Sequence, residues 1–152
     1  MKILLTGCAG FIGYHLANKL IAKNFDVMGV DNLNDYYDTN LKSERLKILQ
    51  SYNNFKFKKT DISSRDDITN IFQGFNPEKV INLAAQPGVR YSLKNPYAYM
   101  ESNLNGFLNM LELCRANQVN GLVYASSSSV YGDNKSKPFS VNDRVNKPIS
   151  LY

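Results

Sequence analysis

Gly7, Gly10 and Gly13 recur at a spacing of three in the run Gly7-Cys8-Ala9-Gly10-Phe11-Ile12-Gly13. The run follows a short apolar stretch at residues 2–6 and opens a segment with helical spacing. A diphosphate needs a tight turn, a backbone it can approach without meeting Cβ atoms, and free N–H groups at the positive end of a helix. Glycines in this order and place supply all three. The spacing alone is weak, because turns and close helix packing also use glycine; the strand before it and the helix after it carry the reading. Asp31 lies 18 residues beyond Gly13, at the end of the apolar run Val27 to Val30. A carboxylate there can accept hydrogen bonds from adenosine ribose hydroxyls and would repel a 2′-phosphate. The pattern predicts NAD rather than NADP, although strand-end aspartates also commonly do no more than start a turn.

Further along, Asp61 and Ile62 follow an expected third strand near Phe55 to Lys59, where a carboxylate could hold the adenine amine and an apolar side chain its ring. A simple turn aspartate fits Asp61 nearly as well. Cys8 has no base beside it in sequence, so packing is the better reading than a nucleophile. His15 has no partner at metal-ligand spacing and reads as a helix-surface or second-layer residue. No metal site is expected.

These residues need a scaffold, and the composition allows one. The chain has 152 residues, 43% hydrophobic and 20% charged, enough for one domain with a sizeable core. Disorder, collagen and coiled coil are excluded. Eighteen Lys and Arg against thirteen Asp and Glu give a net charge of +5 without a polybasic block. Nucleic acid is disfavoured because no basic run interleaves with aromatics. The apolar run before Gly7 is too short for a signal peptide or membrane span. Two cysteines, Cys8 and Cys114, match no disulfide framework and fit a reducing compartment, the cytoplasm by default.

Apolar runs at 2–6, 27–30 and 79–83 read as buried strands, further strands are expected near 55–59 and 121–125, and helical spacing at 11–23, 41–49 and 97–117 falls between them. Ser64 with Asp67 resembles a capping pair opening another helix, which ends near Phe72 with Gly74 as its stop. A polar loop covers 132–148, and a helix begins near Ile149. Strands alternating with helices predict an α/β fold with an open, doubly wound parallel sheet of the Rossmann type. Such a fold rarely stops on a strand and a loop, so residues 1–152 are expected to be the cofactor-binding part of a longer protein, lacking its C-terminal substrate-binding part.

The segments GCAGFIG, DNLNDYYD, NLAAQPGVRYS, SNLNGFLNMLE, YASSSSVYG and SLY together resemble an extended short-chain dehydrogenase/reductase of the NAD-dependent epimerase/dehydratase family. Within it they are most similar to nucleotide-sugar 4-epimerases of the UDP-glucuronate type. The resemblance spans essentially the whole chain. One departure is Asn82, where many relatives carry His.

The resemblance implies an N-terminal Rossmann part that binds NAD through Gly7, Gly10, Phe11, Ile12, Gly13, Asp31, Asn32, Asp61, Ile62, Leu83, Ala84, Ala85 and Asn103. It implies catalysis by Tyr152 and Ser127, with a lysine four residues beyond Tyr152. That lysine matters, because a tyrosine near its ordinary pKa of about 10 is a poor base at neutral pH. Tyr152 would take the proton of the sugar 4-hydroxyl while NAD takes the C4 hydride. The hydride then returns to the other face of the 4-keto sugar, and Ser127 hydrogen-bonds the 4-oxygen. Dehydratases of the family carry an Asp-Glu pair where Ser128 and Ser129 stand, and two serines cannot do that acid–base work. The expected activity is therefore a UDP-glucuronate 4-epimerase, an isomerase, with Gln86, Arg90, Ser128 and Ser129 as candidate contacts to a UDP-sugar. Arg90 could meet the sugar carboxylate or a phosphate, or sit on an exposed loop; Asn103 could equally tie a helix to a strand. A UDP-glucose/UDP-galactose-type 4-epimerase and a non-catalytic NAD-binding module are the alternatives. The resemblance also implies a homodimer of the full-length form.

Overall fold

The computed structural model of the chain describes residues 1–152. Five strands form one parallel sheet: β1 (Lys2–Thr6), β2 (Asp26–Asp31), β3 (Phe55–Lys59), β4 (Lys79–Asn82) and β5 (Leu122–Tyr124). Their order is β3-β2-β1-β4-β5. The central strand β1 therefore pairs on one side with β2, Ile3 opposite Val27, and on the other with β4, Ile3 opposite Lys79. The chain winds outward in one direction from β1 and then in the other, and the reversal opens a crevice at the carboxyl ends of β1 and β4.

Side chains alternate across a strand, so Leu4 and Leu5, both fully buried, point into different cores. Leu4 packs with Met28, Val30 and Val80 against α3 (Arg65–Phe75) and α6 (Phe107–Ala116), through Ile68, Phe72 and Met110. Leu5 packs with Val27 and Phe55 against α1 (Phe11–Ala22) and α2 (Thr39–Gln50), through Ala17, Ile21, Leu46 and Leu49. Burying each such aliphatic side chain is worth roughly 1.5–3 kcal/mol, so the double-sided sheet is the main source of stability.

Four expectations need correction. The third helix runs past Gly74 to Phe75, because Phe75 continues the buried stripe of Ile68, Ile71 and Phe72. It stops at Asn76, whose φ of 51° is a left-handed conformation that asparagine tolerates. Ser64 and Asp67 do meet, but the Ser64 hydroxyl donates to the Asp67 carboxylate at 2.6 Å instead of accepting from a helix N–H. The long helix expected over 97–117 is divided. Short helices α4 (Val89–Lys94) and α5 (Pro96–Tyr99) precede a π-helical segment, Met100–Gly106, which runs into α6. Asn95 separates the first two, accepting from Ala98 N at 3.4 Å, and Pro96 occupies the first helical position. Residues 149–152 form no helix; one turn fixes more backbone than its bonds repay. No helix is long and apolar enough to cross a membrane.

Candidate functional site: a cleft at the carboxyl edge of the sheet

A cleft of about 810 Å³ opens where the strand order reverses, within the size range of small-molecule sites. Its floor is the glycine loop. Gly7 has φ of +70°, and a Cβ there would come within 2.8 Å of Ala84 N. Its own N–H donates to Val30 O at 2.7 Å, which pins the turn to β2. A Cβ on Gly13 would run into the carbonyl oxygen of Gly7, so the helix can pack this close to the turn only with glycine there. Gly10 precedes α1 without a side-chain cap, and the first turn carries no acidic residue. The N–H groups of Phe11, Ile12 and Gly13 find no acceptor within the chain. Bare donors at the positive end of a twelve-residue helix, on a loop whose Gly7, Gly10 and Gly13 carry no Cβ, fit a diphosphate.

Asp31 is 8% exposed and lines the same cleft. Its Oδ2 accepts from Ala9 N at 3.1 Å and its Oδ1 from Leu33 N at 2.9 Å, so it shapes both the glycine loop and its own turn. Each oxygen keeps a further lone pair for a ligand hydroxyl. The turn reading and the ribose reading are therefore compatible. Asp61 accepts from Asn32 Nδ2 at 2.8 Å and from the N–H and hydroxyl of Ser63 at 2.9 and 2.7 Å. Partial burial pushes its carboxyl pKa upward, but these three donors outweigh that and leave it below the ordinary value.

The opposite wall is hung from β1. The buried Thr6 hydroxyl donates to Asn82 Oδ1 at 2.6 Å and accepts from Leu83 N and Ala84 N at 3.1 and 3.0 Å. Thus Asn82, for all its difference from histidine, hydrogen-bonds at this position, and Leu83, Ala84 and Ala85 are held against the cleft. Asn103 lies in the π-helical segment and clamps the backbone of Gln86 from both sides, accepting from its N at 2.8 Å and donating to its O at 3.0 Å. Asn103 also lines the cleft, so its tying role and a ligand contact coexist.

Ser127 and Tyr152 line the cleft at its far end. Ser127 Oγ accepts from Ser129 N at 3.2 Å and caps a 3-10 turn, Ser128–Tyr131. The Tyr152 ring meets Tyr99 edge to face, with centroids 5.7 Å apart, and the Tyr99 hydroxyl donates to Pro87 O at 2.8 Å.

The structure brings most of the expected residues together, but not all. Gln86, Arg90, Ser128 and Ser129 do not line the cleft. Gln86 is buried, Arg90 is exposed on α4, and the two serines lie in the 3-10 turn, Ser128 exposed and Ser129 half-buried. Cys8 is fully buried, and burial together with the nearby Asp31 charge holds its thiol well above the ordinary pKa, as a packing residue requires. His15 is exposed, edge-on to Phe11 and Tyr14.

Sequence reasoning missed Tyr36, Tyr37, Lys42 and Arg45, all of which line the cleft. The signal was present for Lys42, which is 4% exposed and shares the buried stripe of Leu46 and Leu49 on α2. A lysine in an apolar helical register is an anomaly that periodicity can expose. Burial lowers its ammonium pKa, against the upward pull of the Asp31 and Asp35 charges.

Comparison with known proteins agrees with this architecture. The Bacillus cereus UDP-glucuronic acid 4-epimerase, solved in complex with UDP-glucuronic acid and NAD, superposes with a TM-score of 0.90 at 35% identity, over 100% of this chain and 48% of that one. A probable UDP-glucuronate 4-epimerase of Rhizobium meliloti is 46% identical over 152 residues, and protein CapI of Staphylococcus aureus is 54% identical over 152. In both cases the alignment takes in 100% of this chain and 45% of the relative, so the chain spans less than half the length of the curated proteins it matches. The family model described as GDP-mannose 4,6 dehydratase matches residues 4–152. With a Rossmann sheet, a bare glycine-loop helix and a match over nearly its whole length, the chain belongs to that family, of the NAD-dependent epimerase/dehydratase type.

Proposed function

We propose that the chain is the NAD-binding part of a nucleotide-sugar 4-epimerase that interconverts UDP-glucuronate and UDP-galacturonate. The observation that carries this reading is that Ser127 and Tyr152 share one cleft with the unpartnered N–H groups of Phe11, Ile12 and Gly13. A redox cofactor cradled by the loop and a sugar beside the hydroxyls can then meet in one cleft. Relatives named UDP-glucuronate 4-epimerase, at 43–46% identity, support the uronate substrate.

The loop and the start of α1 hold the diphosphate, Asp31 and Asn32 take the adenosine ribose, and Asp61 with Ile62 takes the adenine. Leu83, Ala84, Ala85 and Asn103 wall the nicotinamide end. Bound NAD supplies transient uptake of a hydride from the sugar C4 and its return to the opposite face. Tyr152 takes the proton from the 4-hydroxyl and gives it back, while Ser127 hydrogen-bonds the developing charge on the 4-oxygen. Ser128 and Ser129 stand where the resemblance gives dehydratases an Asp-Glu pair, and neither serine can do that acid–base work. This favours epimerisation over dehydration.

Arg90 stands outside the cleft, and this favours a second reading, a UDP-glucose/UDP-galactose 4-epimerase with no carboxylate preference. The full-length protein, assayed with UDP-glucuronate, UDP-glucose and their 4-epimers, separates the two; equal or faster turnover of the neutral sugars removes the uronate. Tyr152→Phe should lower kcat by at least a hundredfold with NAD still bound, and full activity in that variant excludes the tyrosine. Met100, Leu104, Leu108 and Leu111 form an exposed apolar stripe along one helical face; it supports pairing of the full-length form as a homodimer, which sedimentation tests. The free Cys8 and Cys114 fit a cytoplasmic setting.

A further inference from the structure

Tyr99 ends α5, is 3% exposed, and belongs to a run of four tyrosine rings. Tyr36 lies 5.1 Å from Tyr91, Tyr91 lies 6.2 Å from Tyr99, and Tyr99 lies 5.7 Å from Tyr152, ring centre to ring centre. The Tyr99 hydroxyl donates to Pro87 O at 2.8 Å and also meets Gly88 O. Its backbone is fixed on both sides, by the Asn95 cap at the start of α5 and by the Asn103 clamp on Gln86 four residues on. Asn95 Nδ2 also donates to the Tyr91 hydroxyl at 3.2 Å, so the cap residue holds the ring next to Tyr99 as well.

Tyr152 is held differently. It makes no hydrogen bond within the chain, and its aromatic contact is with Tyr99. A base that takes a proton from a ligand needs its oxygen free, so contacts to its ring are what can aim it. The two ring planes meet at 76°, the edge-to-face geometry that aromatic pairs favour. An aliphatic side chain at position 99 would fill the same place without favouring one angle. Tyr99 itself does not line the cleft, and its hydroxyl is committed to main-chain carbonyls, so any effect it has on the chemistry passes through Tyr152.

We propose that Tyr99 is a positioning residue whose ring, anchored by its hydroxyl, its backbone and the Tyr91 ring, sets the orientation of the Tyr152 ring in the cleft. The inference rests on reading Tyr152 as the proton acceptor and adds what aims it. Tying down residues 87 and 88 would require the Tyr99 hydroxyl, whereas aiming Tyr152 requires the ring. Pro87 is exposed and Gly88 half-buried, so water can replace the hydroxyl at both carbonyls. The two roles therefore separate by substitution.

The test uses the full-length protein, steady-state kinetics with UDP-glucuronate, and NAD content measured on the same samples. Tyr99→Leu should lower kcat by roughly tenfold or more, because a small misplacement of a reacting group is enough for such a loss, with KM and bound NAD little changed. Tyr99→Phe keeps the ring edge and should stay within about threefold of wild type. Tyr91→Leu removes a ring that touches Tyr99 but not Tyr152, and should cost less than Tyr99→Leu. A crystal structure of the wild-type protein with NAD needs no variant to fold, and should show the Tyr152 ring seated edge-on against Tyr99. Wild-type kcat in Tyr99→Leu, an equal loss in Tyr99→Phe or in Tyr91→Leu, a loss confined to KM or to bound NAD, or a Tyr152 ring seated away from Tyr99 overturns the proposal while leaving Tyr152 as the proton acceptor. Full activity in Tyr152→Phe overturns both.

Discussion

Replacing Thr6 by valine keeps the shape of a fully buried side chain and deletes one hydroxyl. That hydroxyl makes three hydrogen bonds, one given to Asn82 Oδ1 and two received from Leu83 N and Ala84 N. Neither N–H has a backbone acceptor, because both lie just beyond the end of β4. A typical intramolecular hydrogen bond contributes about 1 kcal/mol net, and a polar group left buried without a partner costs about 1–3 kcal/mol. Leu83 and Ala84 are only half-buried, so water recovers part of their loss, whereas Asn82 is 6% exposed and recovers little. The expected destabilisation of Thr6→Val is therefore about 2–4 kcal/mol. For a chain of this size that corresponds to a fall in Tm of roughly 5–15 °C. Thr6→Ser is the control: it retains the hydroxyl, loses one methyl, and should cost about 1 kcal/mol. Urea and thermal denaturation of the two variants side by side make the comparison. If valine is tolerated as well as serine, or serine costs as much as valine, the hydroxyl is not what holds the wall of the cleft.

Gly13→Ala should leave a folded protein whose glycine loop is displaced by contact with the Gly7 carbonyl; NAD affinity should fall by a hundredfold or more in calorimetry, and wild-type affinity would show that close approach at this point is unnecessary. Asp61 contributes stability of the opposite pH sense to a raised base. Its folded pKa lies below the ordinary value of 3.8, so its contribution is present above that value and is lost as pH falls through the folded one. Asp61→Asn should accordingly be less stable than wild type at pH 7, with the deficit shrinking below about pH 4; a deficit independent of pH would refute the role assigned to its charge.

The parallel sheet was legible because its central strands β1 and β2 are buried on both faces and read as apolar runs, and because Gly7, Gly10 and Gly13 mark a turn that few other residues can make. Asp31 was legible by position alone. What escaped were residues placed by geometry between elements far apart in sequence. Tyr36 belongs to the loop after β2, yet its ring lies 5.1 Å from that of Tyr91 on α4. Nothing in the local pattern around either tyrosine encodes that meeting. The loop expected around Arg90 was mistaken for a related reason: its neighbours suggested a strand-end loop, but Val89–Lys94 coils into a short helix on which the arginine is exposed. Lys42 was hidden by the habit of assigning lysines to solvent, although its register with Leu46 and Leu49 already placed it inside.

The divided helix shows how a failed local expectation can serve the site. Apolar spacing over 97–117 favours one continuous helix, and tertiary contacts override it at both ends of the π-helical segment. At its middle, Asn103 satisfies both backbone groups of Gln86, groups that a loop running under the cleft would otherwise bury without partners. At its end, Gly106 allows Ile62 to press against the helix, since a Cβ there would come 2.6 Å from Ile62 Cγ1. Immediately beyond, Asn109 donates to Ile62 O and Ser63 O at 2.9 and 3.1 Å. The helix is thus fastened to the loop after β4 on one side and to the loop after β3 on the other. Those two loops carry Leu83, Ala84, Asp61 and Ile62, which line the opposite ends of the cleft. A regular α-helix advances 100° per residue, and the wider turn between Asn103 and Asn109 changes the phase so that both asparagines reach their loops. The π-helical segment lies beside the cleft, in keeping with the tendency of π-turns to occur where a helix borders a functional site.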